Sequence, residues 1–418
     1  TDARRFRGPG ALLSGPAGGV VGAARVAAEA GYASAVGFDM GGTSTDVSLI
    51  EGGECERAFE TTVAGVRVKA PMLRIHSVAA GGGSLCRFDG FRLTVGPESA
   101  GADPGPLCYG RAGTTRSSPP APVEGSAQPR GRSASEGLAL TDVNLFLGRI
   151  QPERFPFPLQ IGPVEAALAA LERELRQAGH ALDAEEIAAG FVEIANASMA
   201  QAIQEVSVGR GVDPRGCVLV GFGGAGGQHV CALARRLGIR TVLLHPHAGL
   251  LSAFGIGVAE VSWDGQRDAG RLRLSDSGDP PEAVEQALAA LQIEGVSALE
   301  DEGINRDRIA IDRILDLRYA GAETALAVAE PESGDYADAF AAAHRARFGY
   351  TRPGRPIEIT TARVRAHAPD PRLASTRTRA AEGGDTPLPR QRANAWFPEI
   401  GRRDVPVYDR EVLRAADE

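Results

Sequence analysis

Lysine is almost absent from this sequence. Lys69 is the only lysine among 418 residues, and arginine supplies the other 44 basic side chains. The G-x-x-x-x-G-K-[ST] phosphate-binding loop is therefore excluded, because no glycine-rich loop carries its lysine. The V-A-I-K lysine of protein kinases has no candidate in a suitable context either. If this chain binds ATP, it must hold the phosphates by another arrangement.

Closely spaced cysteines are also missing. The five cysteines are far apart in the sequence and none forms a C-x-x-C pair (Cys55, Cys86, Cys108, Cys217 and Cys231). This spacing argues against a structural zinc site. An odd number of separated cysteines in a chain of this size is typical of free thiols in a reducing compartment, so we expect a cytoplasmic protein.

Long apolar runs and an excess of basic charge are absent as well. No stretch of 18 consecutive apolar residues occurs, so the sequence predicts no transmembrane helix, and no secretory signal peptide is recognised. The formal net charge of −8 argues against a dedicated nucleic-acid-binding protein, which usually carries a basic patch. The sequence opens with Thr1-Asp2 rather than Met, which indicates a segment of a longer polypeptide, with a processed start as the alternative.

The order of apolar runs and glycine turns predicts an α/β protein of two or three domains. We divide it into a first lobe at 1–112, an insertion at 113–137, a second part at 138–367, and a linker with the start of a further domain at 368–418. The insertion is rich in Ser, Pro, Gly and Arg and is predicted to be disordered. Helices are predicted at 20–30, 164–175, 187–206 with Asp183 as N-cap, 230–237 ending at Gly238, 281–301 and 335–348. Strands are predicted at 33–38, 47–50, 216–221, 241–244, 312–319, 323–329 and 356–367.

A glycine-rich turn joins the first two predicted strands, which indicates a β-hairpin. Its sequence is Asp39-Met40-Gly41-Gly42-Thr43-Ser44-Thr45-Asp46. The two glycines allow backbone N–H groups to approach phosphate oxygens, and the three hydroxyls add further donors. Asp39, at a strand end, is expected to hold Mg²⁺ through water, and Asp46 to orient the turn or a water molecule. An ordinary Gly-Gly hairpin capped by Asp explains the spacing equally well.

Two further glycine-rich segments are candidate ligand-binding loops. Gly223-Gly224-Ala225-Gly226 lies between a predicted strand and a predicted helix, where helix-terminal N–H groups are available to a nucleotide. It is not the Rossmann fingerprint, because no acidic residue follows at the required distance. Gly81-Gly82-Gly83 predicts a close approach of the backbone to a ligand or to another strand. Tight strand–helix packing and a β-bulge are the structural alternatives for these two segments.

The histidines do not define a metal site. His245 and His247 stand two residues apart near a strand end and are predicted to face the same side, but no third ligand is identified. We therefore favour a structural or substrate-side role for them. His229 opens a helix beside a glycine loop, and both a structural and a functional role are open for it.

Seven segments occur in the order that characterises one protein family. They are 13–19, 37–46, 79–84, 96–101, 141–145, 221–229 and 249–255. Together they resemble the central domain of the hydantoinase A / 5-oxoprolinase family, and their residues are most similar to those of its ATP-dependent 5-oxoprolinase members. The resemblance covers roughly residues 12–365 and is interrupted by the insertion.

This resemblance implies an actin-like ATPase fold of the acetate- and sugar-kinase type, in which two α/β lobes face each other across a nucleotide cleft. It implies ATP and Mg²⁺ as cofactors, the three glycine segments as nucleotide-binding loops, Asp39 and Asp46 as catalytic carboxylates, and Asp39 as metal ligand. Family members carry an earlier Asp-x-Gly-Gly-Thr-x-x-Asp motif in an N-terminal domain. Only 38 residues precede Asp39, so we expect a fold that is incomplete at its N-terminus, with a partial C-terminal domain at the other end.

The resemblance also implies an activity. ATP would activate a cyclic amide by phosphoryl transfer to the lactam carbonyl oxygen, with 5-oxo-L-proline as substrate and L-glutamate as product. The alternatives are an N-methylhydantoinase, the ATP-using subunit of an acetone-type carboxylase, and a non-catalytic nucleotide-binding fragment. The expected partners are 5-oxoproline or a hydantoin-like small molecule, a hydantoinase B-type domain or subunit, and further copies of the chain in a homo-oligomer.

Overall fold

The structure is a computed structural model that describes residues 14–58, 61–63, 66–68, 72–111, 137–275, 277–368, 388–410 and 413. The predicted insertion at 113–137 lies outside the described residues except for Gly137, and so does the part of the predicted linker at 369–387. The described residues form an α/β protein, as the sequence predicted.

Within the described residues, ten strands follow the first helix, three helices follow these strands, and helices and strands mostly alternate from residue 218 to residue 368. The helices are α1 (Ser14–Glu29), α2 (Leu140–Phe146), α3 (Gly162–Gln177), α4 (Ala184–Ser207), α5 (Val230–Leu237), α6 (Leu251–Val258), α7 (Glu282–Asp301) and α8 (Tyr336–Phe348). The strands are β1 (Ala35–Met40), β2 (Thr45–Glu51), β3 (Glu54–Cys55), β4 (Arg57–Ala58), β5 (Thr61–Val63), β6 (Val66–Val68), β7 (Met72–Leu73), β8 (His76–Val78), β9 (Ser84–Phe88), β10 (Leu93–Ser99), β11 (Val218–Phe222), β12 (Val242–Leu244), β13 (Val261–Arg273), β14 (Ala310–Tyr319), β15 (Leu326–Ala329), β16 (Ile357–Ala368), β17 (Gln391–Phe397) and β18 (Gly401–Val407). Within these residues, no helix is both long enough and apolar enough to cross a membrane.

The chain divides into two compact units. The larger unit contains the described residues within 13–57, 73–256 and 377–418, and the smaller unit contains those within 58–72 and 257–376. All of the predicted site residues belong to the larger unit.

The sheet of the larger unit has the strand order β12-β11-β1-β2-β3, and β8 also pairs with β2. β1 and β2 form the predicted hairpin and are antiparallel. β11 runs parallel to β1, and β12 runs parallel to β11. The carboxyl ends of the three parallel strands therefore meet at one edge of the sheet, which is the edge where α/β proteins bind ligands.

Both faces of this sheet are covered, which explains why β1 is apolar at nearly every position. Val36, Phe38 and Met40 face a core built mainly with α2, α3, α4 and α5. The alternate residues face a second core that includes α1 and Leu251 of α6. Because side chains alternate along a strand, the last residue on the α1 side of β1 is Asp39. A buried strand thus delivers one carboxyl group to the edge of the sheet where its parallel strands end.

Glycines allow α1 and α6 to touch along their backbones. A Cβ atom on Gly255 of α6 would overlap the carbonyl oxygen of Gly18 and lie 2.6 Å from the backbone nitrogen of Gly22. A Cβ atom on Gly18 would lie 2.5 Å from the carbonyl oxygen of Ser252. The helices cross at the level of Ser252, so this close packing fixes the position of that side chain.

The hairpin of β17 and β18 packs on the larger unit. The Trp396 backbone nitrogen donates to the Leu147 carbonyl oxygen at 2.9 Å. The Arg402 side chain donates to the Phe146 carbonyl oxygen at 3.1 Å and to the Glu185 carboxylate at 3.2 Å. The hairpin belongs to the larger unit. That 368–418 begins a further domain stays a prediction.

The smaller unit is an antiparallel sheet with helices on it. The strand order is β13-β16-β14-β15, and α7 and α8 supply the apolar residues that cover one face. A register shift between Asp268 and Leu272 interrupts the pairing of β13 with β16. Beside it lies a cavity of about 350 Å³, lined by residues such as Asp268, Val284 and Ala362. None of the predicted site residues lines this cavity.

Candidate functional site

The candidate site is built around the turn between β1 and β2. Asp39 and Asp46 stand directly opposite each other on the two strands, so their side chains lie on the same face of the sheet. The turn closes where the Gly41 nitrogen donates to the Ser44 carbonyl oxygen at 3.0 Å. The hairpin predicted from the sequence is therefore confirmed, and it places two carboxyl groups beside a glycine-rich turn.

The second glycine segment supports this turn from behind. The Gly82 and Gly83 nitrogens donate to the Gly41 and Gly42 carbonyl oxygens at 3.0 and 2.6 Å. A Cβ atom on Gly81 would lie 2.7 Å from three backbone atoms of the turn, the nearest being in Gly42. Residue 81 must therefore be glycine if the backbones are to approach this closely. The close approach predicted for 81–83 is an approach to another backbone segment.

The third glycine segment packs directly against Asp39. Gly223 follows β11, has φ +83°, and has no room for a side chain, because a Cβ atom would overlap both Asp39 Oδ1 and the Met40 carbonyl oxygen. Two residues later, the Ala225 nitrogen donates to the Met40 carbonyl oxygen at 2.9 Å. A Cβ atom on Gly82 would lie 3.6 Å from the Ala225 Cβ. The 81–83 and 223–226 segments therefore both pack on the β1–β2 hairpin, and Gly223 does so beside the Asp39 carboxyl group.

Ionisation of the Asp39 carboxyl group is disfavoured by its surroundings. Burial, and secondarily the negative charge of Asp46, raises the pKa of Asp39 to about 6, while a hydrogen bond from the Ser252 hydroxyl opposes this increase. Asp46 in turn accepts a hydrogen bond from the Ser77 hydroxyl of β8. Two facing, partly buried carboxyl groups form a local excess of negative charge, an environment that favours a cation.

The remaining predicted residues divide between the surface and the interior. Gly42, Thr43 and Gly224 are exposed at the loop tips, Gly41 and Ser44 are partly exposed, and Ala225 and Gly226 are buried. The Thr45 side chain is fully buried, and its hydroxyl donates to the Ala80 carbonyl oxygen. The structure therefore does not bring the Thr45 hydroxyl to the open side of the turn, since alternation along β2 sends residues 45 and 46 to opposite faces.

His229 anchors the third glycine segment. It is fully buried, its Nδ1 is 2.8 Å from Asn196 Oδ1, and its Nε2 is 3.1 Å from Asn144 Nδ2. This pattern requires a neutral ring that donates from Nδ1 and accepts at Nε2. Burial, and secondarily the positive charge of Arg149, lowers the pKa of His229 to about 3. Of the two roles open for His229, its contacts are those of a structural residue.

His245 and His247 lie just beyond the end of β12, and their ring centroids are 5.5 Å apart. The His245 ring stacks on Phe254, and its Nδ1 accepts a hydrogen bond from the His247 backbone nitrogen at 3.2 Å. Across the part of the chain that the structure describes, no group of three His, Cys, Asp or Glu side chains is arranged to hold a metal ion. The contacts of His245 are those of a residue that shapes its own loop.

Sequence reasoning missed the side chains that support the carboxylates. Ser77 and Ser252 bind Asp46 and Asp39, although neither belongs to a pattern with an obvious chemical role. Ser252 lies within the segment 249–255, whose resemblance to the family was the available signal. Its position depends on the glycine crossing of α1 and α6, which no local pattern predicts.

Comparison with known proteins agrees with this arrangement. A sequence profile described as hydantoinase/oxoprolinase matches residues 1–265, more than half of the chain. The chain belongs to the hydantoinase/oxoprolinase family. The resemblance inferred from the seven segments is therefore confirmed.

Several relatives match this hydantoinase/oxoprolinase chain over nearly its whole length. A 5-oxoprolinase of Dictyostelium discoideum is 35% identical over 99% of the chain and 32% of the relative. The caprolactamase subunit alpha of Pseudomonas jessenii is 32% identical over 97% of the chain and 56% of the relative. The chain thus spans about a third of the length of the 5-oxoprolinase that it matches and about half of the caprolactamase subunit.

Two solved structures share the fold of the chain. The crystal structure of ATP-dependent caprolactamase from Pseudomonas jessenii superposes with a TM-score of 0.76 at 30% identity, covering 95% of the chain and 55% of that protein. The nucleotide-free structure of acetone carboxylase gives a TM-score of 0.66 at 24% identity, covering 96% of the chain and 56% of that protein. The similarity to acetone carboxylase is a similarity of fold alone.

Proposed function

We propose that this chain is part of an enzyme that uses ATP to hydrolyse a cyclic amide, with 5-oxo-L-proline as substrate and L-glutamate as product. Family membership supports an ATP-dependent cyclic amidohydrolase, and a named 5-oxoprolinase relative aligns with 99% of the chain. The proposal includes the actin-like ATPase fold, with the β1–β2 hairpin as its phosphate-binding element.

The observation that carries the proposal is the convergence of the 81–83 and 223–226 segments on the glycine-rich hairpin that carries Asp39. They come from distant parts of the chain, yet Gly81 lies against the hairpin turn and Gly223 lies against the carboxyl group. Turns of this kind present backbone N–H groups that suit anionic oxygens. An ordinary capped hairpin does not require two additional glycine segments packed on its turn.

We assign roles to the residues as follows. The exposed tip of the hairpin at Gly42 and Thr43 contacts phosphate oxygens, and the exposed Gly224 of the third segment contacts the adenosine side. Asp39 holds Mg²⁺ through water, and Asp46, fixed by Ser77, orients the turn or a water molecule. The raised pKa of Asp39 fits a bound cation, because a positive charge removes the repulsion between the facing carboxylates.

An unstrained lactam resists water attack, and Mg-ATP would supply the phosphoryl group that makes its carbonyl carbon electrophilic. The contribution of the chain is to position and to bind, since little covalent chemistry falls to the protein in phosphoryl transfer. Ring opening is expected to involve a hydantoinase B-type domain or subunit, and we expect the enzyme to be a homo-oligomer in the cytoplasm.

A second candidate substrate is a larger lactam such as caprolactam. The caprolactamase subunit is 32% identical to the chain, and the caprolactamase structure superposes on the chain with a TM-score of 0.76. The family offers two further alternatives, hydrolysis of hydantoins and carboxylation of ketones. The alternative to an enzyme is a non-catalytic nucleotide-binding protein.

The test is ADP release from Mg-ATP by the full-length protein, with 5-oxo-L-proline, caprolactam, N-methylhydantoin or acetone with bicarbonate. We expect 5-oxo-L-proline to stimulate ADP release and Asp39→Asn to abolish the stimulated rate while leaving the protein folded. The matched control is Asp307→Asn, an exposed carboxyl group in the smaller unit. Stimulation by another compound alone would replace the substrate, and absence of ATP turnover with every compound would refute the proposal.

A further inference from the structure

The short helix α2 contacts the 81–83 segment and His229, which lies three residues beyond the 223–226 segment. Its seven residues contain three apolar side chains, Leu140, Val143 and Leu145, that are buried in the core of the larger unit. Its polar residues, Thr141, Asp142 and Asn144, each hold a different neighbouring segment. In the sequence this stretch stands out only for its resemblance to the family, and none of its residues has a role in the proposed chemistry.

Thr141 holds the segment that supports the hairpin turn. The Gly82 carbonyl oxygen accepts two hydrogen bonds from this one residue, from the backbone nitrogen at 2.7 Å and from Oγ1 at 2.8 Å. A Cβ atom on Gly82 would lie 2.8 Å from Thr141 Oγ1, so the contact also requires glycine at residue 82. Gly82 in turn donates to Gly41, so a single residue separates the helix from the hairpin turn.

Asn144 holds His229, three residues beyond the third glycine segment. Its Nδ2 donates to His229 Nε2 at 3.1 Å, and the opposite ring nitrogen donates to Asn196 of α4 at 2.8 Å. All three side chains are buried, with exposed fractions of 1% for Asn144, 0% for His229 and 4% for Asn196. Both ring nitrogens of His229 are satisfied within this buried network, which holds the ring in one orientation.

Asp142 keeps the helix from shifting. Its buried carboxylate accepts hydrogen bonds from the backbone nitrogens of Leu107, Cys108 and Ala139 at 3.0, 2.8 and 2.8 Å. Ala139 immediately precedes the helix, whereas Leu107 and Cys108 are distant in sequence, so the first turn is bound to a separate stretch of chain at 107–108. Thr141 and Asn144, three residues apart, are then separated by roughly 4.5 Å along a fixed axis.

We propose that α2 sets the spacing between the hairpin side and the His229 side of the nucleotide site, with Thr141 and Asn144 as positioning residues. This inference rests on the proposed function, because it assumes that one ATP molecule spans both loops. Neither residue needs to contact the nucleotide. The helix acts by holding each loop at a fixed distance from the other.

The spacing matters only to a ligand that touches both loops. For such a ligand, the second contact forms within the complex, and its strength depends on whether the loops are already at the right separation. Adenosine or inorganic tripolyphosphate contacts only one of the loops, so its affinity should not depend on that separation. A change in α2 that leaves each loop intact should therefore weaken the binding of ATP and leave the binding of adenosine and of tripolyphosphate unchanged.

The experiment compares the affinities of the full-length protein for Mg-ATP, adenosine and tripolyphosphate by calorimetric titration. The main variant is Thr141→Val, which removes Oγ1 and keeps the backbone hydrogen bond to Gly82. Loss of one partly buried hydrogen bond predicts an affinity for Mg-ATP that is about fivefold to tenfold weaker. Adenosine and tripolyphosphate should bind within about twofold of wild type, Thr141→Ser should restore ATP binding, and Thr94→Val should change nothing.

Thr94 is the matched control because its part-buried hydroxyl also donates to a backbone carbonyl, that of Arg87 in β9, and neither residue belongs to a glycine segment. The double variant Thr141→Val/Asn144→Ala should weaken the affinity for Mg-ATP little more than the stronger single variant does. Either loss alone allows the distance between the two loops to vary, so the effects should not add. Equal weakening of all three ligands, additive effects in the double variant, or unchanged ATP affinity would each overturn the inference.

Hydrogen exchange separates the inference from the proposed function, because it requires no nucleotide. We expect Thr141→Val to speed amide exchange at 81–83 and also at 224–229, on the far side of the helix. Faster exchange at 81–83 alone would refute the spacing role. A wild-type protein that shows the coupled exchange but binds no ATP would instead refute the proposed function and keep the mechanical link.

Discussion

Replacing Asp39 with asparagine should stabilise the ligand-free protein at neutral pH. Asp39 is half-buried, faces Asp46, and has a pKa raised to about 6 in the folded state. The folded protein therefore holds the Asp39 proton more tightly than the unfolded chain does. Stability falls as the pH rises from about 4 towards 6, because ionising this group is harder in the folded state.

The size of the effect follows from the shift. Each pKa unit corresponds to about 1.4 kcal/mol, so an increase of about two units gives an upper value of about 3 kcal/mol. Asp39 is partly exposed to solvent, which screens the charge, and we take about half of this value, or about 1.5 kcal/mol. For a unit of this size, that corresponds to a melting temperature about 3–6 °C higher.

The assay is thermal unfolding of wild type, Asp39→Asn and the exposed control Asp307→Asn between pH 4 and pH 8. The advantage of Asp39→Asn should be near zero at pH 4, grow to its full size above about pH 6, and shrink when Mg-ATP stabilises only the wild type. Equal or lower stability of Asp39→Asn at pH 8, or an advantage that does not vary with pH, would show that Asp39 is not strained.

Three further predictions concern separate parts of the larger unit. Gly223→Ala should abolish nucleotide binding and lower the melting temperature, because its Cβ overlaps Asp39, whereas Gly224→Ala, with open space around it, should leave the melting temperature within about 1 °C. His229, whose pKa is lowered to about 3, makes the folded state less stable as the pH falls below about 6.5, and His229→Asn should remove this part of the acid sensitivity in denaturant titrations at pH 7 and pH 5. Cys231, the exposed cysteine, should react first with a thiol reagent in the native protein, and Cys231→Ser should eliminate the fast phase measured by absorbance.

The elements that the sequence predicted correctly are those with local signals. The helix at 184–207 begins after Asp183, whose side chain accepts from the Glu186 nitrogen at 2.8 Å, as the N-cap prediction required. The helix at 230–237 ends at Gly238, which has φ +71°. The hairpin was predictable because its glycine turn stands between two short apolar runs. Each of these signals lies within a few residues of the feature that it specifies.

The site was only partly predictable because its contacts are non-local. The glycine segments were identified, but not that Gly81 packs on the turn itself and that Gly223 packs on Asp39. Thr45 was counted among the exposed donors, although strand alternation sends its hydroxyl into the core. Ser252 reaches Asp39 through a helix crossing, and a sequence pattern carries no information about which helices cross.

That crossing of α1 and α6 has a consequence for the interpretation of mutational tolerance. Gly18, Gly22 and Gly255 have no part in the proposed ligand contacts, yet a methyl group on Gly255 would overlap the backbone of α1. Separating the helices would withdraw Ser252 from Asp39 and leave the carboxyl group more strained. In a saturation scan scored by activity, Gly255 should therefore be as intolerant as the residues around the carboxylates. Such a scan would classify a packing position as a chemical one unless protein abundance were scored in parallel.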